Sequence, residues 1–227
     1  MKRSRPLFFA MAVALLLSGC NLVFDTIQGS GKSTTETRNV SGFTAVELDG
    51  SGDLQIQQTG TESLTITADD NLLEYLTSDI NSGRLKLGTK NGAHVSSSKP
   101  VVYKLTVKNL NGIVLAGSGS VHGKNLASDS MRIEIAGSGN ITTSGSADRA
   151  ELIIGGSGNY SGDNYKTKNA KVEIDGSGGV SVAASDTLDV TINGSGSVEY
   201  IGDPKVTTTS PVMAMPREFA RVELRGD

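Results

Sequence analysis

The 227-residue chain has no tryptophan, 4% aromatic residues, one cysteine, five prolines and two histidines. Each shortage removes a class of explanation. A lone cysteine cannot close an internal disulfide, so no disulfide framework holds the fold. With so few rings, the core must be built from aliphatic side chains. His94 and His122 lie far apart and outside any metal-ligand spacing, so surface or turn positions account for them. Basic residues are also scarce once the first 19 residues are set aside. Lys2, Arg3 and Arg5 fall there, leaving 18 of the 21 bases against 24 acids, a net −6. That balance disfavours nucleic acid as a partner. No apolar run is long enough for a permanent bilayer span; the run from Leu7 to Leu17 follows a basic start and fits a secretory signal.

Glycine, by contrast, is abundant, and its distribution is ordered. Gly-Ser-Gly begins at Gly50, Gly117, Gly137, Gly156, Gly176 and Gly194, so the last five copies are 20, 19, 20 and 18 residues apart. A fixed period of this size marks a stacked repeat. Two residues before each copy stand Leu48, Leu115, Ile135, Ile154, Ile174 and Ile192; four before stand Val46, Ile113, Ile133, Leu152, Val172 and Val190. Two residues beyond each copy come Leu54, Val121, Ile141, Tyr160, Val180 and Val198, and the residues between are mostly polar. Such period-two alternation predicts strand, glycine corner, strand, with one side of each strand turned inward. One unit cannot bury its apolar side alone, but units stacked roughly 4.8 Å apart form continuous aliphatic ladders. The expected architecture is therefore all-β, a solenoid with Gly-Ser-Gly corners. Its glycines would supply φ values that a Cβ opposes, and its serines a hydrogen-bonded stack along one edge.

Directly after the apolar run comes Leu17-Ser18-Gly19-Cys20, which resembles the lipobox of bacterial lipoproteins. Small residues let a signal peptidase reach the backbone, and the Cys20 thiol is the nucleophile that takes diacylglycerol. The expectation is an N-terminal cysteine anchored in a membrane through lipid. Asn21 follows in place of the aspartate that resembles an inner-membrane retention signal, which favours the outer membrane of a Gram-negative cell. The domain map is then a signal peptide over 1–19, acylated Cys20 with a flexible polar tether over 20–41, the β domain over 42–205, and a C-terminal tail or cap over 206–227. Within the tether, Gly29-Ser30-Gly31-Lys32-Ser33-Thr34 looks like the end of a phosphate-binding loop. The required earlier glycine is replaced by Thr26, so nucleotide binding is rejected.

The lipobox, Gly42-Phe43-Thr-Ala-Val46-Glu-Leu48-Asp-Gly-Ser-Gly52, Asp70-Asn71-Leu72-Leu73, Gly88-Thr89-Lys90 and the later corners together resemble the DUF2807 family, described as putative auto-transporter adhesins with a head GIN domain. The similarity covers roughly residues 42–205. It implies a secreted, right-handed parallel β-helix-like domain with no assigned enzymatic chemistry. Thr207 to Asp227 departs from the family, whose members commonly carry a further Gly-Ser-Gly near the end.

No constellation for catalysis stands out. The outward column three residues before each corner reads Glu47, Val114, Glu134, Ile153, Glu173, Thr191, so apolar residues separate its acids. Arg132 with Glu134 and Lys171 with Glu173 read as a solvated face. Calcium-binding glycine-rich repeats carry an aspartate in every turn, whereas here only Asp53 occupies the position after a corner. No catalytic, metal or cofactor residue is assigned, and Cys20 is the single site. The leading expectation is a lipid-anchored, non-enzymatic envelope protein whose β surface serves adhesion or scaffolding. Its partners would be a glycan or cell-surface protein and, through the solenoid ends, a second copy. The alternative is a polysaccharide-binding or polysaccharide-degrading β-helix lipoprotein using Asp53, Glu134, Glu151 and Glu173.

Overall fold

The structure, a computed structural model, describes residues 26–209 and the backbone of Met213–Ala214 and Ala220–Glu223. The signal peptide and Cys20 lie outside the described residues. Among these, regular structure is almost wholly β. The N-terminal part comprises β1 (Thr26–Gln28), β2 (Ser33–Arg38), β3 (Ala45–Leu48), β4 (Asp53–Gln58) and β5 (Ser63–Asp69). A single 3-10 turn at Leu73–Tyr75 follows, then β6 (Leu76–Asn81), β7 (Arg84–Thr89), β8 (His94–Ser96), β9 (Val102–Val107) and β10 (Gly112–Leu115). Four long strands carry the repeat: β11 (Ser120–Ile135), β12 (Asn140–Ile154), β13 (Asn159–Ile174) and β14 (Gly179–Ile192). The chain closes with β15 (Ser197–Ile201), β16 (Lys205–Thr208), β17 (Met213–Ala214) and β18 (Ala220–Glu223).

The aliphatic columns expected from the alternation are present. Val46, Ile113, Ile133, Leu152, Val172 and Val190 pair in register from β3 through β14, and so do Leu48, Leu115, Ile135, Ile154, Ile174 and Ile192. The third column runs from Tyr103 on β9 through Leu54, Val121, Ile141, Tyr160 and Val180 to Val198. All of these side chains are buried and belong to one continuous core. Burial of an Ile or Leu contributes roughly 1.5–3 kcal/mol, so these columns supply the main driving force for folding.

The right-handed parallel β-helix-like solenoid is not what forms. All strands except β1 and β8 join one 16-stranded mixed sheet that curls into a nearly closed, barrel-like wall. Its stacked repeats are parallel, but β5 runs antiparallel to β2 and β9, β6 to β7, and β18 to β15 and β17. Two causes are visible. Before Leu110 the chain reverses at tight turns, one of them at Ser82 (φ 50°) and Gly83 (φ 76°), and such reversals produce antiparallel neighbours. In the repeats, each unit is one 14–16-residue strand that bends without breaking. The N-terminal end of β11 pairs β4 while its C-terminal end pairs β10, so a single strand contributes to two walls. The bends coincide with register shifts, as between Gly123 and Leu126, where Asn125 takes φ 56°.

The corners close by a different device from the one expected. Among the six first glycines only Gly50 has a positive φ; the other five lie against the backbone of the preceding corner. A Cβ on Gly137 would collide with the Gly117 carbonyl, and one on Gly156 with the Gly137 carbonyl. Each carbonyl accepts from the next corner: the Gly117 oxygen takes the N–H groups of Ser138 (3.2 Å) and Gly139 (3.3 Å). Glycine is needed for close approach more than for turn conformation. The corner serines are exposed, and no hydrogen bond joins one to another among the described residues.

The stretch expected as a tether contains β1 and β2. Strand β2 pairs β5, and the Arg38 guanidinium donates to the carbonyls of Leu73 (2.9 Å) and Leu76 (2.7 Å). These bonds fix the 3-10 turn against the wall. The Gly29–Thr34 stretch leads from β1 into the start of β2 and packs on acids: Ser30 Oγ donates to Asp70 at 2.6 Å, and a Cβ on Gly29 would collide with the Asp69 carboxylate.

Candidate binding groove

The charged residues of the alternative reading do not converge. Glu134, Glu151 and Glu173 lie toward the C-terminal ends of β11, β12 and β13, where each faces a base. Glu151 pairs with Arg132 and, at 3.5 Å, with Lys171; Arg132 also reaches Glu134 at 3.7 Å, and Lys171 reaches Glu173 at 4.0 Å. This is the solvated charge ladder expected from the sequence. Asp53 is elsewhere, in register with Ser120 at the other end of β11. Its Oδ2 accepts from Gln55 Nε2 at 2.8 Å, while Oδ1 lies 3.6 Å from His122 Nε2. His94 stands on β8, beside Thr26 of β1. Among the described residues, no three His, Cys, Asp or Glu side chains are grouped to hold a metal.

A groove of about 1020 Å³ runs across β11–β15, and the sequence reading did not identify it. Its floor is built from small side chains in register: Ser128 on β11, Ala147 on β12, Thr167 on β13 and Ala184 on β14. Ala147, Thr167 and Ala184 are buried, and Thr167 Oγ1 donates to the Ala183 carbonyl at 2.9 Å, so its hydroxyl is spent. Ile201, 44% exposed on β15, forms an apolar end wall. Small residues here create the groove because the strands bend where a larger side chain would fill the space.

Charge lines the rims. Asp129, Asp148, Asp163 and Asp203 stand against Lys166 and Lys168. Lys168 Nζ lies 2.8 Å from Asp148 Oδ1, and this contact lowers the Asp148 carboxyl below its ordinary value while raising the Lys168 amine. Asp163 accepts from the Ser181 hydroxyl. Asp129 and Asp203, at the two ends, make no ion pair among the described residues. The groove therefore presents a floor of small side chains bordered by aspartates and lysines. Its signal in sequence is a small residue followed closely by an acid in most repeats: Ala127-Ser128-Asp129, Ser146-Ala147-Asp148 and Ala184-Ser185-Asp186. These residues lie midway between corners, away from the aliphatic columns that dominate the pattern.

Beneath the walls, tyrosines replace the missing larger rings. Tyr103, 2% exposed, has its phenol pushed up to about 12 by burial. Tyr160 is raised further for the same reason, and its hydroxyl shares a 2.7 Å hydrogen bond with Thr143 Oγ1. Burial also raises Tyr165 on β13.

The model of one protein family, described as "DUF2807: Putative auto-transporter adhesin, head GIN domain", matches residues 42–204. The chain belongs to this family. Several solved structures share the fold of this DUF2807 protein. A putative adhesin from Bacteroides fragilis superposes with a TM-score of 0.65 at 23% identity, covering 80% of this chain and 95% of that one. A putative lipid binding protein from Parabacteroides distasonis gives 0.52 at 26% identity, covering 81% and 95%. A putative adhesin from Parabacteroides merdae gives 0.52 at 23% identity, covering 82% and 95%. No curated protein matches the chain. The family's description is that of an adhesin domain.

Proposed function

We propose that this protein is a lipid-anchored adhesin of the bacterial cell envelope that engages a surface ligand through the outer face of its curled sheet. The observation that carries this reading is the family match across residues 42–204, whose description is that of an adhesin. The names of the B. fragilis and P. merdae relatives support the same role. Cys20, behind its basic and apolar leader, supports attachment through lipid to the outer membrane, with the residues before Thr26 spacing the sheet from the bilayer. A glycan or a cell-surface protein is the partner class that suits a broad face of charged and polar residues with a groove floored by small side chains. The polysaccharide-degrading alternative loses its footing because its four carboxylates are divided between two walls or neutralised by arginine and lysine.

Two measurements test the proposal. Cells grown with a radioactive fatty acid should label the wild-type chain and not Cys20→Ala; equal labelling of both refutes the anchor. Protease shaving of intact cells should release the β domain, and deletion of the gene should reduce attachment to host or neighbouring cells. Attachment unchanged by deletion refutes the adhesive role.

A further inference from the structure

We infer that the outer edge of β2 pairs antiparallel with the β2 of a second copy of this chain, joining the two curled walls into one continuous sheet. One wall runs from β4 through β9 and β5 to β2, where it ends among the described residues. β2 keeps an unbroken register with β5, from Ser33 opposite Asp69 to Arg38 opposite Leu64, so no bulge turns its edge away. The Lys32 carbonyl accepts from the Asp70 N–H at 2.9 Å. That bond turns the peptide groups of Lys32, Thr34, Glu36 and Arg38 toward β5 and leaves those of Ser33, Thr35 and Thr37 facing outward. The outward groups have no partner among the described residues, Ser33 to Thr37 are exposed, and the strand contains no proline. Other edges are occupied: Arg38 takes the Leu76 carbonyl of β6, and β18 covers β15.

Charge selects the occupant and its register. β2 carries no apolar side chain, so a partner strand gains little from burial there and must match it in hydrogen bonds and charge. A two-fold pairing with Ser33 opposite Thr35 sets Thr34 against Thr34 and Lys32 against Glu36, and symmetry repeats the opposite-charge pair. Thr35 against Thr35 would instead bring Lys32 to Arg38, and Thr35 against Thr37 would bring Glu36 to Glu36. Thr37 against Thr37 would rely on Arg38, whose guanidinium is held by the Leu73 and Leu76 carbonyls. In the selected register Lys32 and Glu36 form a pair without mutual backbone bonds, the kind whose side chains stand closest, about 4.5–5.5 Å apart at Cβ. Lys32 Nζ lies 3.5 Å from Asp70 and Glu36 accepts from Arg38 at 2.9 Å, yet their side chains remain 81% and 45% exposed and can reach across. About four backbone hydrogen bonds and two exposed ion pairs make a weak contact in solution. Lipid anchoring as proposed above would strengthen it by holding copies on one surface.

The test is disulfide capture in cells producing the full chain, with copper phenanthroline as oxidant and a non-reducing gel as readout. Wild type, whose single cysteine is Cys20, sets the background. Thr34→Cys should give a cross-linked dimer about fivefold or more above both that background and Thr35→Cys. The reason is geometric: the two Thr34 positions face each other, whereas the two Thr35 positions are offset along the strands. Adding Glu36→Lys to Thr34→Cys should lower the dimer about fivefold or more, and adding Lys32→Glu as well should restore it. All four positions are exposed, and circular dichroism of the purified variants confirms that they fold. No Thr34→Cys dimer above background, equal capture at the two positions, or a loss that the charge exchange does not restore overturns the inference. Capture of a different protein in place of the dimer overturns it as well. Because capture is read without an attachment assay, its failure leaves the adhesion reading standing, and failure of attachment leaves the dimer.

Discussion

Gly137 opens a corner and Gly155 immediately precedes one, yet only the first of them has a neighbour in the way. A Cβ at Gly137 meets the Gly117 carbonyl, whereas nothing lies within 4 Å of one at Gly155. Gly137→Ala should therefore destabilise the protein by roughly 1–3 kcal/mol, as overpacking does, and Gly155→Ala should be close to neutral in the same urea titration. Equal effects would mean that backbone crowding does not explain the corner. Asp69 offers a second residue-scale test. It is 1% exposed and accepts from the Ser98 N–H at 2.9 Å and from the hydroxyls of Ser97 and Ser98. The Ser98 N–H is the chief cause holding its carboxyl below the ordinary value, partly opposed by burial. With a folded value below the unfolded one, its stabilising effect is present above about pH 4 and is lost as pH falls through the folded value. Asp69→Asn should remove that part of the acid sensitivity, seen as a flatter stability profile below pH 4. The existence of this buried carboxylate was not legible, because nothing in the sequence separates Asp69 from the adjoining Asp70 until Ser97 and Ser98 are placed beside the first of them.

At the scale of strands, the alternation distinguished inward from outward positions correctly, since burial on a pleated strand changes at every residue. Ile154 is 1% exposed within its column, and Ile154→Ala should cost about 2–5 kcal/mol. Glu151→Gln on the outer face of the same strand should cost less than about 1 kcal/mol, as exposed pairs do, despite its contacts with Arg132 and Lys171. If the two losses are similar in denaturant unfolding, the inward and outward assignment fails. Tyr103 continues the third column onto β9, with its phenol held near 12 by burial. Its folded value lies above the unfolded value of about 10. Stability is thus fully present below pH 10 and declines as pH rises toward 12; Tyr103→Phe should resist alkali better. What the pattern did not reveal is strand length and direction. A corner marks where the chain turns tightly, but the wider bends near Gly123 and Thr142 are absorbed by bulges and leave the strand unbroken.

For the whole molecule, one curled sheet encloses the core and, in the proposed role, presents the binding face. Its ends differ: β18 covers β15 in antiparallel fashion at one, while β6 forms an edge at the other, with Ile80 partly exposed. In the proposed role, lipid on Cys20 would hold this sheet at the envelope. The sequence by itself determined the strand period, the members of the aliphatic columns and the glycines at the corners. These are properties of neighbouring residues, written in two-residue alternation and a repeat of near-constant length. The mixture of parallel and antiparallel pairs, the nearly closed wall and the groove were decided only by the tertiary structure. They arise from pairings such as Leu54 with Val121 and Ser33 with Asp69, and from bends that bring small side chains of four strands side by side. Such pairings depend on which long loop closures the whole chain can satisfy together, and no local pattern of side chains specifies them.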